Sequence, residues 1–420
     1  MALPLPSPVR LLLGAHLADG ALVDVRLEGP VVAEIVPAGT LRAGRDEPAL
    51  DLDGFLLLPA AAEPHAHLDK SLTFDEIRPP LGDLGRAIAS FQEFAATADE
   101  DGIADRARRT LTRMLANGIT AVRSHVNFYP APDPLVGFRA LARVRAEFAG
   151  LLDLELVTLP AEETTDEEHE AALDLGADLV GGAPHLWSDP IAATDRLLDV
   201  AERRGAGVDL HADESLDGPV TLARYAQRAR AWRVVKSAGH CVRLGTMPPA
   251  ELDALLRAVR EADIGIISLP ITNLYLQGWE TPVATPRGLT ALRALIDAGV
   301  RVAAGADNVQ DPFNPLGRCD PLETAMLLVT AGHLSPAEAL HLVTDGARDV
   351  LALPPAGPRV GAAADLLGIR AGGPRDAIAF ASPDRMVLHD GRLVATSTLT
   401  TSVAAPAREP ALLSAHQEGA

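Results

Sequence analysis

Cysteine is nearly absent from this chain, with only Cys241 and Cys319, far apart in the sequence. Two reduced, buried thiols are expected rather than a disulfide framework. Lysine is equally scarce: Lys70 and Lys236 stand alone, and every other basic side chain is arginine. Basic residues as a whole are outnumbered, 37 against 57 acidic, for a formal net charge of −20. A field of that sign repels polyanions and argues against nucleic acid or an anionic membrane as a partner. No apolar run reaches the length of a membrane span. The N-terminal "MALPLPSPVRLLLGAHLADG" lacks the basic region, long apolar stretch and cleavage site of a secretory signal, so a cytoplasmic protein is expected. The glycine-rich phosphate loop of an open doubly wound sheet is also missing after the first apolar strand. What remains is a 420-residue chain, 48% hydrophobic, that can bury a real core as one large domain and a smaller one.

From about Gly54 to Leu353 the chain repeats one grammar: cap residue, often proline, amphipathic helix, glycine, apolar strand. "DPLVGFRALARVRAEFAG" (133–150), "DPIAATDRLLDVAERRGAG" (189–207) and "TPRGLTALRALIDAG" (285–299) each lead into such a strand. Asp or Thr caps, proline fits the first turn, and glycine permits the left-handed exit. "SPAEALHLVTDGARDVLAL" adds a capping box between Ser335 and Glu338. The strands are near-continuous apolar runs, as in sheets buried on both faces. Eight are expected: Phe55–His67, Thr120–Val126, Leu151–Leu159, Leu179–Pro184, Val208–Ala212, Arg233–Cys241, Ile264–Pro270 and Val302–Val309. Eight strands alternating with helices predict an α/β fold, a (β/α)8 TIM-type barrel. The two ends read differently. "HLADGALVDVRLEG" and "MVLHDGRLVATS" each set Asp-Gly between alternating segments, a hairpin signal. Residues 1–57 and 357–420 are therefore assigned to one small β-sandwich domain and 58–356 to the catalytic barrel. The tail from Ala404, with its apolar "PALLSAH", is expected to be mobile or to pack on another subunit, and a homo-oligomer is expected.

The stretch "PAAAEPHAHLDK" holds two histidines one residue apart behind an apolar run. On a strand, His65 and His67 share a face. Of the twelve histidines, six fall at predicted strand ends: His65, His67, His125, His185, His211 and His240. Asp307 ends the eighth strand, and Glu214 follows His211 by three residues. A single strand-end histidine is more often a satisfied core residue than a ligand. Together they gain meaning, because a closed barrel brings its strand ends to one mouth, where catalytic residues of this fold sit. Three neutral imidazoles and a carboxylate suit one divalent metal ion, Zn²⁺ or Fe²⁺, with a position left for water.

In the right order and spacing, "EPHAHLDK", "HADE", "SAGH", "LPITNLYLQG" and "GADNVQDPFNPLG" resemble the amidohydrolase superfamily and its cytosine deaminase-like branch. The resemblance spans nearly the whole chain. It implies a barrel with a small β domain built from both termini. Carried over by position, it makes His65, His67, His211 and Asp307 the metal ligands. It makes His240 the group that supports the metal's water, and Glu214 the proton shuttle. Some relatives carry a lysine near the end of strand four that bridges two metals. Here that strand reads "LVGGAPHLW", so a single metal is expected.

These parts permit hydrolytic deamination, with Asp307 taking a proton from water and Glu214 passing protons to a ring nitrogen and then to the leaving amino group. Hydrolysis of a cyclic amide or ureide needs the same parts, and a non-catalytic small-molecule-binding barrel is a third reading. The zinc deaminase fold that uses P-C-x-x-C, nucleic-acid editors included, is removed because the chain has no C-x-x-C. The expected partner is a small heterocyclic substrate. True cytosine deaminases carry an F-P-Q motif after strand three; here "TLPAEE" puts Ala161 in place of that glutamine. Their second aspartate after the metal-binding one is Asn308 here. Cytosine is therefore expected to be a poor substrate. His185 and Trp187 are candidates to line the pocket, and Trp187, Trp279 and Phe313 to stack on the substrate. Asp69 and Lys70, also a substrate-binding candidate, open a segment, 71–85, with the Pro/Gly content of a lid. His125 is expected to support the core or the ligands.

Overall fold

A computed structural model describes residues 5–130 and 132–404. Most of the tail from Ala404, on which the oligomer expectation leans, lies outside the described residues. The chain forms two sheets. One has eight strands, paired strictly in chain order: Ala61–Ala66, Ile119–Asn127, Asp153–Leu159, Leu179–Gly182, Gly207–Ala212, Lys236–His240, Gly265–Ser268 and Val302–Ala304. All of these pairings are parallel, and a parallel bridge between Ala66 and Asp307 brings the last strand round to the first. Helices cover the outside, and the strands are buried almost throughout, as their unbroken apolar runs require. The expected TIM-type barrel is therefore present.

The other sheet has nine strands and interleaves the two ends of the chain. Leu366–Arg370 runs antiparallel to Phe55–Pro59, with Leu57 opposite Gly368. Both expected hairpins form: Leu11–His16 with Leu22–Glu28, and Arg385–His389 with Arg392–Ser397. The second turns on Asp390 and Gly391, both at positive φ, as a tight two-residue hairpin demands. One face of this sheet has its own core around Leu57, Leu366 and Leu388, while Leu56, Leu367 and Val387 on the other face join the core of the barrel. Two ion pairs tie sheet to barrel: Arg348–Asp365 at 3.0 Å and Arg385–Asp320 at 2.7 Å.

Three local expectations are corrected. The run Phe55–His67 is two strands: Phe55–Pro59 belongs to the terminal sheet and Ala61–Ala66 to the barrel, with Ala60 between them. The helix expected from Thr285 is only Leu292–Asp297. Gly288 stands at φ +66 against Gln277 and the Asn273 carbonyl, so the chain there is a loop packed under its neighbour. Asp133 does not cap its helix, which starts at Val136. Asp189 does cap the next, and the Ser335–Glu338 capping box is formed.

Candidate metal centre and substrate cavity

At the C-terminal mouth of the barrel three imidazoles converge. The Nε2 of His211, from the fifth barrel strand, lies 3.2 Å from the Nε2 atoms of both His65 and His67. Asp307 brings Oδ1 to 3.1 Å from His67 Nε2 and 3.9 Å from His65 Nε2. Nitrogens around one metal at about 2.0–2.1 Å with tetrahedral angles stand about 3.3 Å apart, close to what is seen. Hydrogen bonding does not explain the cluster. Burial pulls all three imidazoles well below their usual pKa, so each is neutral and has one donor at most. Both Asp307 oxygens are buried without a hydrogen-bond donor, and burial, then the nearby Glu214, pushes that carboxyl well above the usual range. His65, His67 and His211 form one group with metal-ligand spacing, and Asp307 joins His65 and His240 in another and lies 3.1 Å from His67, so these residues could together hold a divalent cation.

Local structure builds this arrangement. Glu63 lies two residues before His65 on the same strand, and its carboxyl takes the His65 N–H at 3.3 Å and the Ala306 N–H at 2.9 Å. It thereby clamps the first barrel strand to the segment carrying Asp307. Asp307 lies three residues past the eighth strand, at φ 63, and His240 closes the sixth at φ 65. Left-handed backbone at non-glycine residues is costly and concentrates at functional sites. Gly239 is required for space: a Cβ there would lie 2.7 Å from His65 Cε1. Asp213 fixes the loop bearing Glu214 by accepting the Thr221 and Leu222 N–H groups at 2.7 and 3.2 Å.

Glu214 and His240 adjoin the cluster. Burial raises the Glu214 pKa to about 8 against the pull of Lys70, so the free side chain carries a proton at neutral pH. Its Oε1 lies 3.3 Å from His240 Nδ1. That nitrogen also meets Asn273 Nδ2 at 3.0 Å, while His240 Nε2 has no partner and lies 3.9 Å from Asp307 Oδ2. As the amide is placed, Nδ1 accepts and Nε2 holds the proton, ready to donate.

A cavity of about 690 Å³ opens over these groups. It is lined by His67, His211, His240, Asp307 and Glu214, and also by Asn308, Ala161, Trp187, Phe313 and Lys70. Two candidates fall elsewhere. Trp279 is 47% exposed, donates to the Tyr275 carbonyl and does not reach the cavity; its loop carries it to the outer rim. His185 is buried behind His211, its Nδ1 3.2 Å from the His211 carbonyl and its Nε2 3.9 Å from Glu214 Oε2, so it backs the site rather than lining it. Of the two glutamates after Ala161, Glu162 is bound to the Ser188 N–H and hydroxyl, which leaves Glu163 free at the cavity. Sequence reasoning passed over Glu63, Asn273 and Asp311, which takes the Asn308 amide at 2.7 Å. Only Glu63 carried a usable signal, its alternate spacing with His65 and His67.

Fold and site together define a metal-dependent type of hydrolase, and comparison with known proteins agrees. The amidohydrolase family model matches residues 81–395, and the chain belongs to that family. It is similar to a pterin deaminase of Rhizobium rhizogenes (strain K84 / ATCC BAA-868), 29% identical over 395 residues, 88% of this chain and 87% of that one. Among solved structures it resembles a Klebsiella pneumoniae 5-methylcytosine deaminase liganded with 5-fluorocytosine, with TM-score 0.84 and 29% identity, over 94% of this chain and 99% of that one. It also resembles an N-isopropylammelide isopropylaminohydrolase from Burkholderia multivorans ATCC 17616, with TM-score 0.79 and 27% identity, over 92% and 98% of the two chains. The chain is thus a hydrolase of carbon–nitrogen bonds, of the kind that deaminates heterocycles. Among the described residues no helix is long and apolar enough to cross a membrane.

Proposed function

We propose that this chain hydrolytically deaminates a small amino-substituted N-heterocycle other than cytosine, using one bound zinc or iron ion. The observation that carries the reading is the convergence of the His65, His67 and His211 Nε2 atoms on an unpartnered Asp307 carboxyl, beside a cavity that Glu214, its pKa raised by burial to about 8, also lines. When bound, a divalent metal supplies Lewis acidity that makes water nucleophilic at neutral pH. The chain's own groups do the rest. Glu214 gives its proton to a ring nitrogen, which makes the adjacent C=N carbon electrophilic. Water adds at that carbon and Asp307 accepts its proton, with His240 Nε2 donating to the new oxygen. Glu214, now a carboxylate, carries the remaining hydroxyl proton to the amino group, ammonia leaves as the ring carbonyl forms, and the proton held by Asp307 returns to Glu214. A single metal is favoured because the fourth barrel strand carries no lysine to bridge two, and its Gly181 has no space for a side chain. A Cβ on Gly181 would already lie 2.3 Å from the Thr158 carbonyl oxygen.

Cytosine is disfavoured because Ala161, at the cavity, can neither donate nor accept, and an unsatisfied edge costs about 1–3 kcal/mol. At about 690 Å³ the cavity accommodates larger ligands as well. The test is elemental analysis of the purified protein, followed by ammonia release over cytosine, aminated purines, triazines, pterins and hydantoin-like rings. Ammonia with the ring intact supports the proposal, ring opening makes the chain a cyclic amidase, and neither outcome leaves a binding barrel. Cytosine as the best substrate by a wide margin would overturn the argument from Ala161. We propose also that the chain works as a cytoplasmic homo-oligomer, which light scattering giving a 44.0 kDa monomer would refute.

A further inference from the structure

Immediately after the two paired histidines the chain leaves the barrel through a segment that is held at almost every residue. The Leu68 N–H donates to Ser124 Oγ at 3.0 Å, Ser71 Oγ to the Leu68 carbonyl at 3.1 Å, and Thr73 Oγ1 to the Lys70 carbonyl at 2.7 Å. The Leu72 and Phe74 N–H groups bond to the Val309 and Gln310 carbonyls, both at 2.8 Å. Asp69 accepts the Asn127 N–H at 2.9 Å. This start of the segment is a fixed pedestal.

The pedestal presents Lys70. Its side chain is 4% exposed, and its Nζ lies 4.2 Å from the centre of the Phe313 ring and 5.4 Å from that of Phe91. Among the described residues no carboxylate is in ion-pair contact with it, and its Nζ donates no hydrogen bond. It lines the cavity together with Glu214 and Asp307. Nearby acids feel the charge and two aromatic faces hold the ammonium, but its N–H donors are left facing the cavity without a protein acceptor. The missing partner is therefore sought in what the cavity binds.

We propose that Lys70 is a specificity-determining residue that donates a hydrogen bond to a ring oxo group of the substrate. Resting on the deaminase reading above, this narrows the substrate to amino-oxo N-heterocycles. A neutral ring carbonyl fits better than a carboxylate, because it takes the hydrogen bond without burying a further charge in a cavity that Glu163 also lines. Asn308 supports the choice. Its amide nitrogen is engaged by Asp311 at 2.7 Å, so its oxygen is the atom left for a ligand. A cationic donor and a neutral acceptor at one cavity suit a lactam edge, carbonyl beside ring N–H.

The experiment compares rings that differ only in the oxo group: pterin against 2-aminopteridine, and cytosine against 4-aminopyrimidine. Wild-type enzyme is expected to prefer the oxo member of each pair by about 10–100-fold in kcat/KM, the range of one charge-assisted hydrogen bond. Lys70→Met should lose that preference by raising KM for the oxo ring, changing the deoxo ring little and metal content not at all. Lys70→Gln, which still donates, should restore part of it. Equal losses on both members, or no preference in the wild type, would overturn the proposal. Calorimetric binding of the same pairs to wild-type protein reads the preference without turnover. If no ring releases ammonia but the oxo ring still binds more tightly, the deaminase reading fails while the role of Lys70 stands.

Discussion

The barrel interior holds two polar clusters, and they are built on opposite principles. Around Arg123, fully buried on the second strand, charged groups bridge strand to strand, although Asp209 Oδ1 has no hydrogen-bond partner. Its guanidinium reaches Glu155 at 2.9 Å, Asp209 at 3.0 Å and Ser237 at 2.9 Å, linking the second, third, fifth and sixth strands. At the mouth, His65, His67, His211, His240 and Asp307 are just as buried, yet the Nδ1 atoms of the first three, His240 Nε2 and both Asp307 oxygens lack hydrogen-bond partners. His125 stands between the clusters, its ring 4.1 Å from that of His65 and its Nε2 3.8 Å from Asp209. Burying polar groups is costly unless they are paired. A cation paired with carboxylates across strands therefore marks scaffold, and neutral imidazoles drawn around an unpartnered carboxyl mark the place where something else completes them.

Breaking the mouth should give the largest effect on function and the smallest on the metal-free fold. Asp307→Ala or His65→Ala is expected to lose bound metal and turnover together. The metal-stripped Asp307→Ala protein should melt no lower than stripped wild type, since the change removes an uncompensated buried acid. Metal analysis paired with calorimetry of the stripped forms checks both halves. A large drop in Tm would show that Asp307 is scaffold after all.

Glu214→Gln sharpens the contrast within the mouth. The amide fills the same space but cannot shuttle a proton, so metal content should hold while kcat falls by about 10²–10⁴. Rates measured at matched metal occupancy test this, and an active variant would place the shuttle elsewhere.

Arg123→Met should reverse the pattern. It leaves Asp209 buried without its cation, a change that costs about 3–5 kcal/mol. Urea unfolding should show that loss, while protein that remains folded still binds metal. Unaltered stability with lost metal would erase the distinction between the clusters.

Much of this was legible in the sequence, for identifiable reasons. Strands buried on both faces print continuous apolar runs, so the barrel could be counted, and alternation alone put His65 and His67 on one side. Apolar content does not say which sheet a residue joins, so the break at Ala60 was invisible. Asp307 was found at a supposed strand end, but it lies in a left-handed turn beyond Ala304, where no period operates. Trp279 was misplaced for a similar reason. An aromatic residue in an irregular loop has no face to read. Lys70 stands in the sequence as one of two lysines, but its seat against Phe91 and Phe313 without an ion-pair contact is a three-dimensional fact.

A third buried cluster lies between the two extremes, since it is paired yet can be unpaired by pH. On the terminal sheet His389 Nδ1 meets Asp365 Oδ1 at 3.1 Å, and Arg348 from the barrel meets Asp365 Oδ2 at 3.0 Å. Burial pulls the His389 pKa down, but the bond to Asp365 and the surrounding acids outweigh it, and the net shift is upward. Burial likewise pushes Asp365 up, and its bonds to His389 and the Asp390 N–H, with Arg348, bring it down on balance. A raised histidine contributes stability that is complete below its unfolded pKa, about 6.5, and is lost as pH rises through the folded value. A lowered aspartate contributes above about 3.9 and loses it as pH falls through its folded value. The clasp should therefore be strongest between about pH 4 and 6.5. His389→Asn should cost on the order of 1 kcal/mol at pH 5.5 and progressively less toward pH 9, where wild-type His389 has lost its charge. Tm measured for both proteins across that range checks the sign. A gap that widens with rising pH would mean that His389 is held neutral and acts through packing alone.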